Sequence, residues 1–529
     1  MIGLLIQDNQ YEQDIRELLM SFYPGEVYAH EVKDGVDFYV ETRLGDGKAA
    51  VCIWERGAGD EDMAGPQPVP EEGKTAGSEK VAEDGKMAGP EPVPAPGSDG
   101  MRPPEGLDGW TAVSCRTGCS DLSDHSATKN VMKKMFYLML TERTGRELPW
   151  GSLTGIRPTK IALTRLEEGW GEADIRAFMK ETYLASDEKI DLSIEIAARE
   201  KKLLEPLDYE RGYSLYVGIP FCPTTCLYCS FTSYPIGRWT GRTGLYLEAL
   251  FKELEYTAGK MAGRPLDTVY FGGGTPTSLP AEDIDAILCR LEQLFDIGHV
   301  REFTVEAGRP DSITREKLEV LRDHGITRIS INPQTMNQKT LDLIGRRHSV
   351  EMVKERFVMA REMGFDNINM DLIMGLPEEN LDDVRHTLKE VKALGPDSLT
   401  VHSLAIKRAA RLNMFKEEYG GLKIQNTPEM IDLSAACARE MNMEPYYLYR
   451  QKNMAGNFEN VGYSLPGKAC IYNILIMEEM QTIAACGAGT TTKVVFPSEN
   501  RRERCENVKE VEQYISRIDE MIERKERIL

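Results

Sequence analysis

Apolar and polar positions follow two periods along this chain, and the changes between them divide it. Gly3 to Ile6 is a short apolar run of strand type, and Tyr11 to Phe22 repeats at helical spacing. Val36 to Thr42 and Ala49 to Trp54 read as two strands about the turn Gly45-Asp46-Gly47. From about 58 to 105 the pattern vanishes: Met63-Ala-Gly-Pro-Gln-Pro-Val-Pro70 recurs as Met87-Ala-Gly-Pro-Glu-Pro-Val-Pro94, with almost no bulky apolar residue. Such a stretch cannot offset its ordering entropy by burial, which predicts a disordered, duplicated insertion; the alternative is a Pro-rich docking site. Ala127 to Thr144 returns to helical spacing, with Val131, Met135, Leu138 and Met139 on one face. Residues 1–145 are therefore expected to form an N-terminal α/β domain carrying that insertion.

A loop then enters a helix at Pro158, and helices run to about Leu204, so 146–213 predicts a helical connector. From Ser214 the pattern becomes strand, loop, helix, repeated. Strands are predicted at Leu215–Ile219, Thr268–Phe271, Glu302–Glu306, Thr327–Ile331, Ile368–Leu372 and Leu399–Ser403, with helices such as Glu316 to His324 and Val350 to Met363 between them. Alternation of this kind implies a parallel sheet over 214–406. Beyond about Lys407 it stops, and 407–529 is expected as a separate C-terminal domain. Within it, 500–529 reads as a charged packing helix with Val508, Val511, Tyr514, Ile515 and Ile518 along one side.

Composition narrows the class without changing the fold. The 529 residues suit two or three domains, and 41% hydrophobic with 28% charged is an ordinary globular balance. A net charge of -21 argues against nucleic acid or an anionic membrane as partner. No apolar run is long enough to span a bilayer, and the N-terminus has no basic region of a signal peptide. Eleven cysteines are too sparse for a disulfide scaffold, so a cytoplasmic, reducing compartment is expected.

The chemistry gathers at Tyr216-Val-Gly-Ile-Pro-Phe-Cys222-Pro-Thr-Thr-Cys226-Leu-Tyr-Cys229. Three thiolates spaced C-x3-C-x2-C on one loop can wrap a cuboidal iron–sulfur cluster and leave one iron open for a second molecule. Unrelated cysteines and a zinc knuckle are the alternatives, but Ser230 to Trp239 supplies no fourth Cys or His for zinc. Cys115 and Cys119 share the first spacing without a third cysteine and read as loop residues. Polar motifs also fall where each predicted strand ends, the place of chemistry in barrels. Gly272-Gly-Gly-Thr275-Pro276 follows the second strand, Glu306 ends the third, Gln334 follows the fourth, and Asp371 lies on the fifth.

The string YVGIPFCPTTCLYC resembles the oxygen-independent coproporphyrinogen III oxidase family of the radical S-adenosylmethionine (SAM) superfamily. Pro149-Trp-Gly-Ser-Leu-Thr-Gly-Ile-Arg157-Pro158-Thr-Lys160 resembles a stretch of its HemZ-type branch. Arg157 and Lys160 are candidates for an anion at that helix start, the alternative being a packed interdomain connector. The resemblance implies a partial (β/α)6 barrel and a [4Fe–4S] cluster on Cys222, Cys226 and Cys229. It implies contacts to a first SAM from Tyr216, Gly273, Glu306 and Ala405. Contacts to a second SAM are implied from Tyr228, Gly274, Thr275, Gln334, Arg346 and Asp371. Gly487-Ala-Gly489-Thr-Thr-Thr-Lys493 matches another stretch that approaches SAM, with Lys493 as the aligned residue. The aromatic and basic segment Tyr446 to Tyr463 resembles the cover of the barrel mouth, which makes 407–529 a covering domain.

The activity so implied is oxidative decarboxylation of two propionates of coproporphyrinogen III to vinyl groups, giving protoporphyrinogen IX, with flavodoxin or ferredoxin as electron donor. Four carboxylates on the substrate call for local cations; Arg238, Arg242, Lys407, Arg408, Arg411, Arg450 and Lys452 are the candidates. One departure weighs against turnover: the oxidase proper has a fourth cysteine two residues after the third, where this chain has Phe231. The haem-chaperone branch also lacks it, so a haem carrier is the second reading, and a radical SAM enzyme for another substrate the third.

Overall fold

The computed structural model describes residues 1–56, 103–231, 233–407, 410–415, 419, 421–451 and 458–529. The insertion expected at about 58–105 lies outside these residues except for 103–105. The chain divides into two compact units, 1–154 with 182–184, and 155–181 with 185–529.

The first unit is a five-stranded sheet in the order β2-β1-β3-β4-β5. Its strands are β1 (Ile2–Ile6), β2 (Tyr28–Ala29), β3 (Phe38–Gly45), β4 (Lys48–Arg56) and β5 (Trp110–Cys119). The helices Glu12–Phe22 and His125–Thr144 pack their apolar sides into one core with the sheet, through Leu18, Leu19, Met132 and Phe136. Cys115 and Cys119 are thus strand residues, not loop residues. Small side chains hid β5 from a propensity reading, but its full-length antiparallel pairing with β4 supplies the hydrogen bonds. Cys115 stands opposite Cys52 in that register and is joined to it by a disulfide.

The second unit is built on one sheet of eleven strands. Its centre is β6 (Tyr213–Ile219), then, after the two-residue strands β7 (Phe221–Cys222) and β8 (Tyr234–Pro235), β9 (Leu266–Gly273), β10 (Glu302–Gly308), β11 (Arg328–Ile331), β12 (Ile368–Met374) and β13 (Ser398–Ser403). β6 and β9 to β13 pair in parallel in chain order, with helices between them, as the alternating pattern predicts. Nearly every position on these strands is buried, as expected of a parallel sheet covered on both faces.

The C-terminal part is not a separate domain. β14 (Glu444–Tyr449) and β15 (Asn460–Ser464) add antiparallel beside β13, while β16 (Thr482–Cys486) returns parallel to β6 and carries β17 (Thr491–Phe496) and β18 (Arg501–Glu506). Residues 500–529 correspondingly begin as a strand. Arg501 to Glu506 pairs residue by residue with Phe496 to Thr491, and only Val511–Ser516 and Ile518–Glu526 are helical. Apart from 182–184, residues 159–204 belong to this unit too, with helix Asp187–Leu204 packed against β14. No described helix is long and apolar enough to cross a membrane.

Candidate active site

The cysteine loop leaves β6 at Pro220 and is pinned by backbone bonds from several strand ends. Thr275 N–H donates to Phe221 O (2.7 Å), Gly274 N–H to Ile219 O (2.8 Å) and Leu227 N–H to Ile344 O (2.9 Å). Gly274 has no room for a side chain: an added Cβ would lie 2.5 Å from Phe221 O. Arg309, at the end of β10, reaches into the loop, donating to Thr224 O (3.0 Å) and standing 3.8 Å from Cys226 Sγ. Asp311 holds its other edge.

Cys222, Cys226 and Cys229 all face one cavity of about 370 Å³. Its walls include Tyr228, Gly273, Gly274, Thr275, Glu306, Gln334, Arg346, Asp371 and Ala405, so the strand-end residues singled out from the sequence converge on one space. Burial pushes the Cys222 thiol up and the Cys229 thiol up to about 11. A thiolate here needs a cationic partner, as a metal centre provides.

The polar wall is unevenly paired. Burial, opposed by the Tyr270 hydroxyl and reinforced by Asp371, raises the Glu306 carboxyl to about 7; Tyr270 donates to it at 2.6 Å. Burial also acts on Asp371, but His402, Asn369 and Thr400 outweigh it and hold that carboxyl below its ordinary value. Asn332 and Asn369 each donate to Asp371 at 2.7 Å. Gln334 takes a left-handed backbone (φ 69°) that turns it to the cavity. Gln334 Oε1, Arg346 Nε and Arg328 Nε are buried with no hydrogen-bond partner among the described residues. An acceptor and two cationic donors aimed into one cavity suit a ligand with both polar groups and charge.

Two of the sequence-derived residues stand elsewhere. Tyr216 does not line the cavity; it stacks on Tyr270 and Tyr472, with ring centroids 6.0 Å away in each case, and Tyr270 takes the cavity position. Lys493 pairs with Glu479 at 2.8 Å. Arg157 binds the same carboxylate at 2.7 Å and Lys160 donates to Glu478 O. Burial would raise Glu479, but Lys493, Arg157 and Arg504 hold it down to about 2. These cations therefore close the C-terminal end of helix Ile471–Glu478, where the helix dipole favours positive charge.

Among the candidate substrate cations, Lys407 lines the cavity, with its Nζ 5.8 Å from the centre of the Phe231 ring. Arg450 does not: it is 5% exposed beside Glu459, and burial lowers its guanidinium to about 10. Arg242 pairs with Glu512 outside the cavity, and neither Arg238 nor Arg411 lines it. Arg408 and Lys452 lie outside the described residues. Tyr270, Arg309, Asn332 and His402 line the cavity without having been singled out. Their signal was the same as that of the others, a polar side chain on or just after a strand of the series.

A model of the radical SAM superfamily matches residues 216–391. Over 412 residues the chain is 43% identical to the oxygen-independent coproporphyrinogen-III oxidase-like protein HemZ of Bacillus subtilis (strain 168), covering 77% of this chain and 82% of that one. The chain belongs to this oxidase-like family of radical SAM proteins. Two other relatives match over a shorter part. The heme chaperone HemW of Bacillus subtilis (strain 168) is 36% identical over 195 residues, 37% of this chain and 51% of that one. The oxygen-independent coproporphyrinogen III oxidase of Escherichia coli (strain K12) is 35% identical over 196 residues, 37% and 42% of the two chains.

As a radical SAM protein the chain takes a [4Fe–4S] cluster and SAM. The cavity fits both: three thiols on one wall, the Arg309 guanidinium beside one of them, and unpaired polar atoms opposite.

Proposed function

We propose that the chain decarboxylates two propionates of coproporphyrinogen III to vinyl groups, giving protoporphyrinogen IX, with Cys222, Cys226 and Cys229 holding the cluster. The observation that carries this reading is the convergence of Glu306, Gln334, Arg346 and Asp371 on the cavity that the three thiols share. That wall offers groups suited to SAM, whose cleavage the oxidase reading requires. When bound, the cluster and SAM supply an electron and a 5′-deoxyadenosyl radical that removes a hydrogen atom.

The chain's own part is binding, orientation and charge. Arg309 offsets thiolate charge at Cys226. Glu306, raised to about 7, exchanges its proton near neutrality and so can donate or accept toward a ligand. Asp371 stays ionised between two asparagine amides and suits a cationic or hydroxyl partner. Lys407, exposed on the cavity wall, is the cation placed to meet a propionate. The electron donor is a small reductant protein such as flavodoxin or ferredoxin. The working compartment is a reducing cytoplasm, where the Cys52–Cys115 pair would be held as thiols.

A second reading, a haem carrier of the same family, has one observation in its favour. Phe231 occupies the fourth-cysteine position, 69% exposed on the cavity wall, where its ring offers an apolar face. Anaerobic incubation with SAM, reductant and coproporphyrinogen III, followed by pigment chromatography, separates the two. The oxidase reading expects tricarboxylic then dicarboxylic porphyrin, with SAM consumed in proportion. Stoichiometric haem binding and no decarboxylated product would establish the carrier.

A further inference from the structure

On the outer helical layer, away from the cavity, four side chains of metal-ligating type meet. Asp285, Cys289 and Glu292 share one face of helix Ala281–Leu294, because separations of three, four and seven residues stack side chains along a helix. His324 caps the C-terminus of the neighbouring helix Arg315–Asp323 and turns its ring toward that face. Its Nε2 lies 3.0 Å from Asp285 Oδ1, and its Nδ1 lies 2.7 Å from Glu292 Oε1. Cys289 Sγ lies 3.9 Å from Asp285 Oδ2. One ligand atom each from Asp285, Cys289 and His324 falls within 4.8 Å of the other two.

We propose that Asp285, Cys289 and His324 form a binding site for a divalent zinc-class ion, with Glu292 as the hydrogen-bond acceptor that orients the histidine. Three observations carry it. His324 Nε2 and Cys289 Sγ lie 3.0 Å and 3.9 Å from the two oxygens of Asp285. These separations bracket the roughly 3.3–3.7 Å that bonds of about 2.3 Å to sulfur and about 2.0–2.2 Å to nitrogen and oxygen set between ligands of a tetrahedral ion, so side-chain rotation would bring the three into its shell. The imidazole already has the environment of a metal-bound histidine, one nitrogen toward the ligand set and the other held by a carboxylate. The neighbouring cations are committed elsewhere, Arg290 to Glu255 and Arg322 to Asp323, so the cluster keeps its excess negative charge.

A surface ion pair needs no thiol, and the thiolate with imidazole selects zinc-class ions over magnesium or calcium. Binding displaces the Cys289 thiol proton and the imidazole proton on Nε2 to solvent; nothing is oxidised or reduced. None of the four residues lines the cavity, so the ion takes no part in the radical chemistry. It clips together the helices that follow β9 and β10, and a solvent molecule completes its coordination. The expected consequence is stability, since an ion bound only by the folded chain raises its melting temperature.

The test uses anaerobically reconstituted protein, with the cluster cysteines occupied by iron, titrated with zinc chloride. Expected are one zinc per chain beyond the iron and a higher thermal midpoint. Cys289→Ser and His324→Gln should each weaken zinc binding by roughly a hundredfold or more, and Glu292→Gln, which leaves the ligands in place, by about ten- to a hundredfold. Iron content should be unchanged in all three. Cobalt in place of zinc should give a thiolate-to-metal absorption that Cys289→Ser removes. No zinc uptake at micromolar free zinc overturns the proposal. So does uptake that survives Cys289→Ser and His324→Gln in variants of normal iron content.

Discussion

Burial decides the charge at Glu306, and with it a pH dependence. Its carboxyl moves from an ordinary 4.5 to about 7. A raised pKa means that the folded chain binds this proton more tightly than the unfolded chain. The stabilisation is therefore complete below about 4.5 and is lost as pH rises through about 7. Its size is on the order of 3 kcal/mol. Glu306→Gln keeps an acceptor for Tyr270 but has no charge to bury. Its thermal midpoint should exceed the wild type's at about pH 8 and lose that advantage toward pH 5; equal midpoints at both pH values would show that Glu306 is not so perturbed. At the thiols, Cys226→Ala should abolish iron binding after anaerobic reconstitution. Cys119→Ala, an exposed strand residue of the first unit, should leave it unchanged. Gly274→Ala should lower iron loading, because its methyl meets the Phe221 carbonyl and overpacking of this kind costs about 1–3 kcal/mol.

Among the elements, the C-terminal helix Ile518–Glu526 is tied to the sheet by a buried polar knot. Lys525, 1% exposed, donates to Glu253 on helix Thr243–Lys260 and to the carbonyl of Ala485 on β16. Glu253 also accepts from Gly487 N–H (2.7 Å), Asn507 (2.7 Å) and Tyr514 (2.5 Å). The turn at Gly487, which resembles a SAM-approaching stretch, is thereby held as structure: it does not line the cavity, and a Cβ on it would lie 2.4 Å from Gly218 O. Lys525→Met leaves a buried carboxylate without its cation and should cost about 3–5 kcal/mol. Combined with Glu253→Gln the loss should be smaller than the sum of the two single losses, read from thermal midpoints; strict additivity would mean that the pair is not coupled.

For the whole molecule, the division into two units places every cavity residue in the second. The first unit has its own core, drawn from its sheet and two helices. A chain of residues 155–529 should accordingly reconstitute the same iron content as the full chain. Loss of iron from a soluble truncation would show that the first unit is needed to fold the second. The charge of -21 also bears on function. An anionic substrate therefore depends on the cations that face the cavity, Lys407 among them. Lys407→Ala should therefore reduce porphyrinogen turnover while leaving substrate-free SAM cleavage in place.

The sequence by itself determined the parallel βα series, the cysteine loop and the polar residues at the strand ends. Each of these is written locally, in a hydrophobic period, a spacing or a residue following a strand, so no distant partner is needed to read it. What only the tertiary structure decided depends on residues far apart in the chain. Tyr216 and Tyr270 stand opposite each other on neighbouring strands. Both rings stack on Tyr472, but only Tyr270 reaches Glu306 and lines the cavity, which the residue types alone do not show. Lys493 resembled a ligand contact until Glu479 claimed its charge. β5 and β18 have weak patterns of their own and exist as strands because β4 and β17 offer a free edge. The C-terminal strands could not be placed from their own residues, since the edges of a sheet are open to any segment that reaches them. Only the folded chain shows that β15 takes one edge of the parallel core and β16 the other.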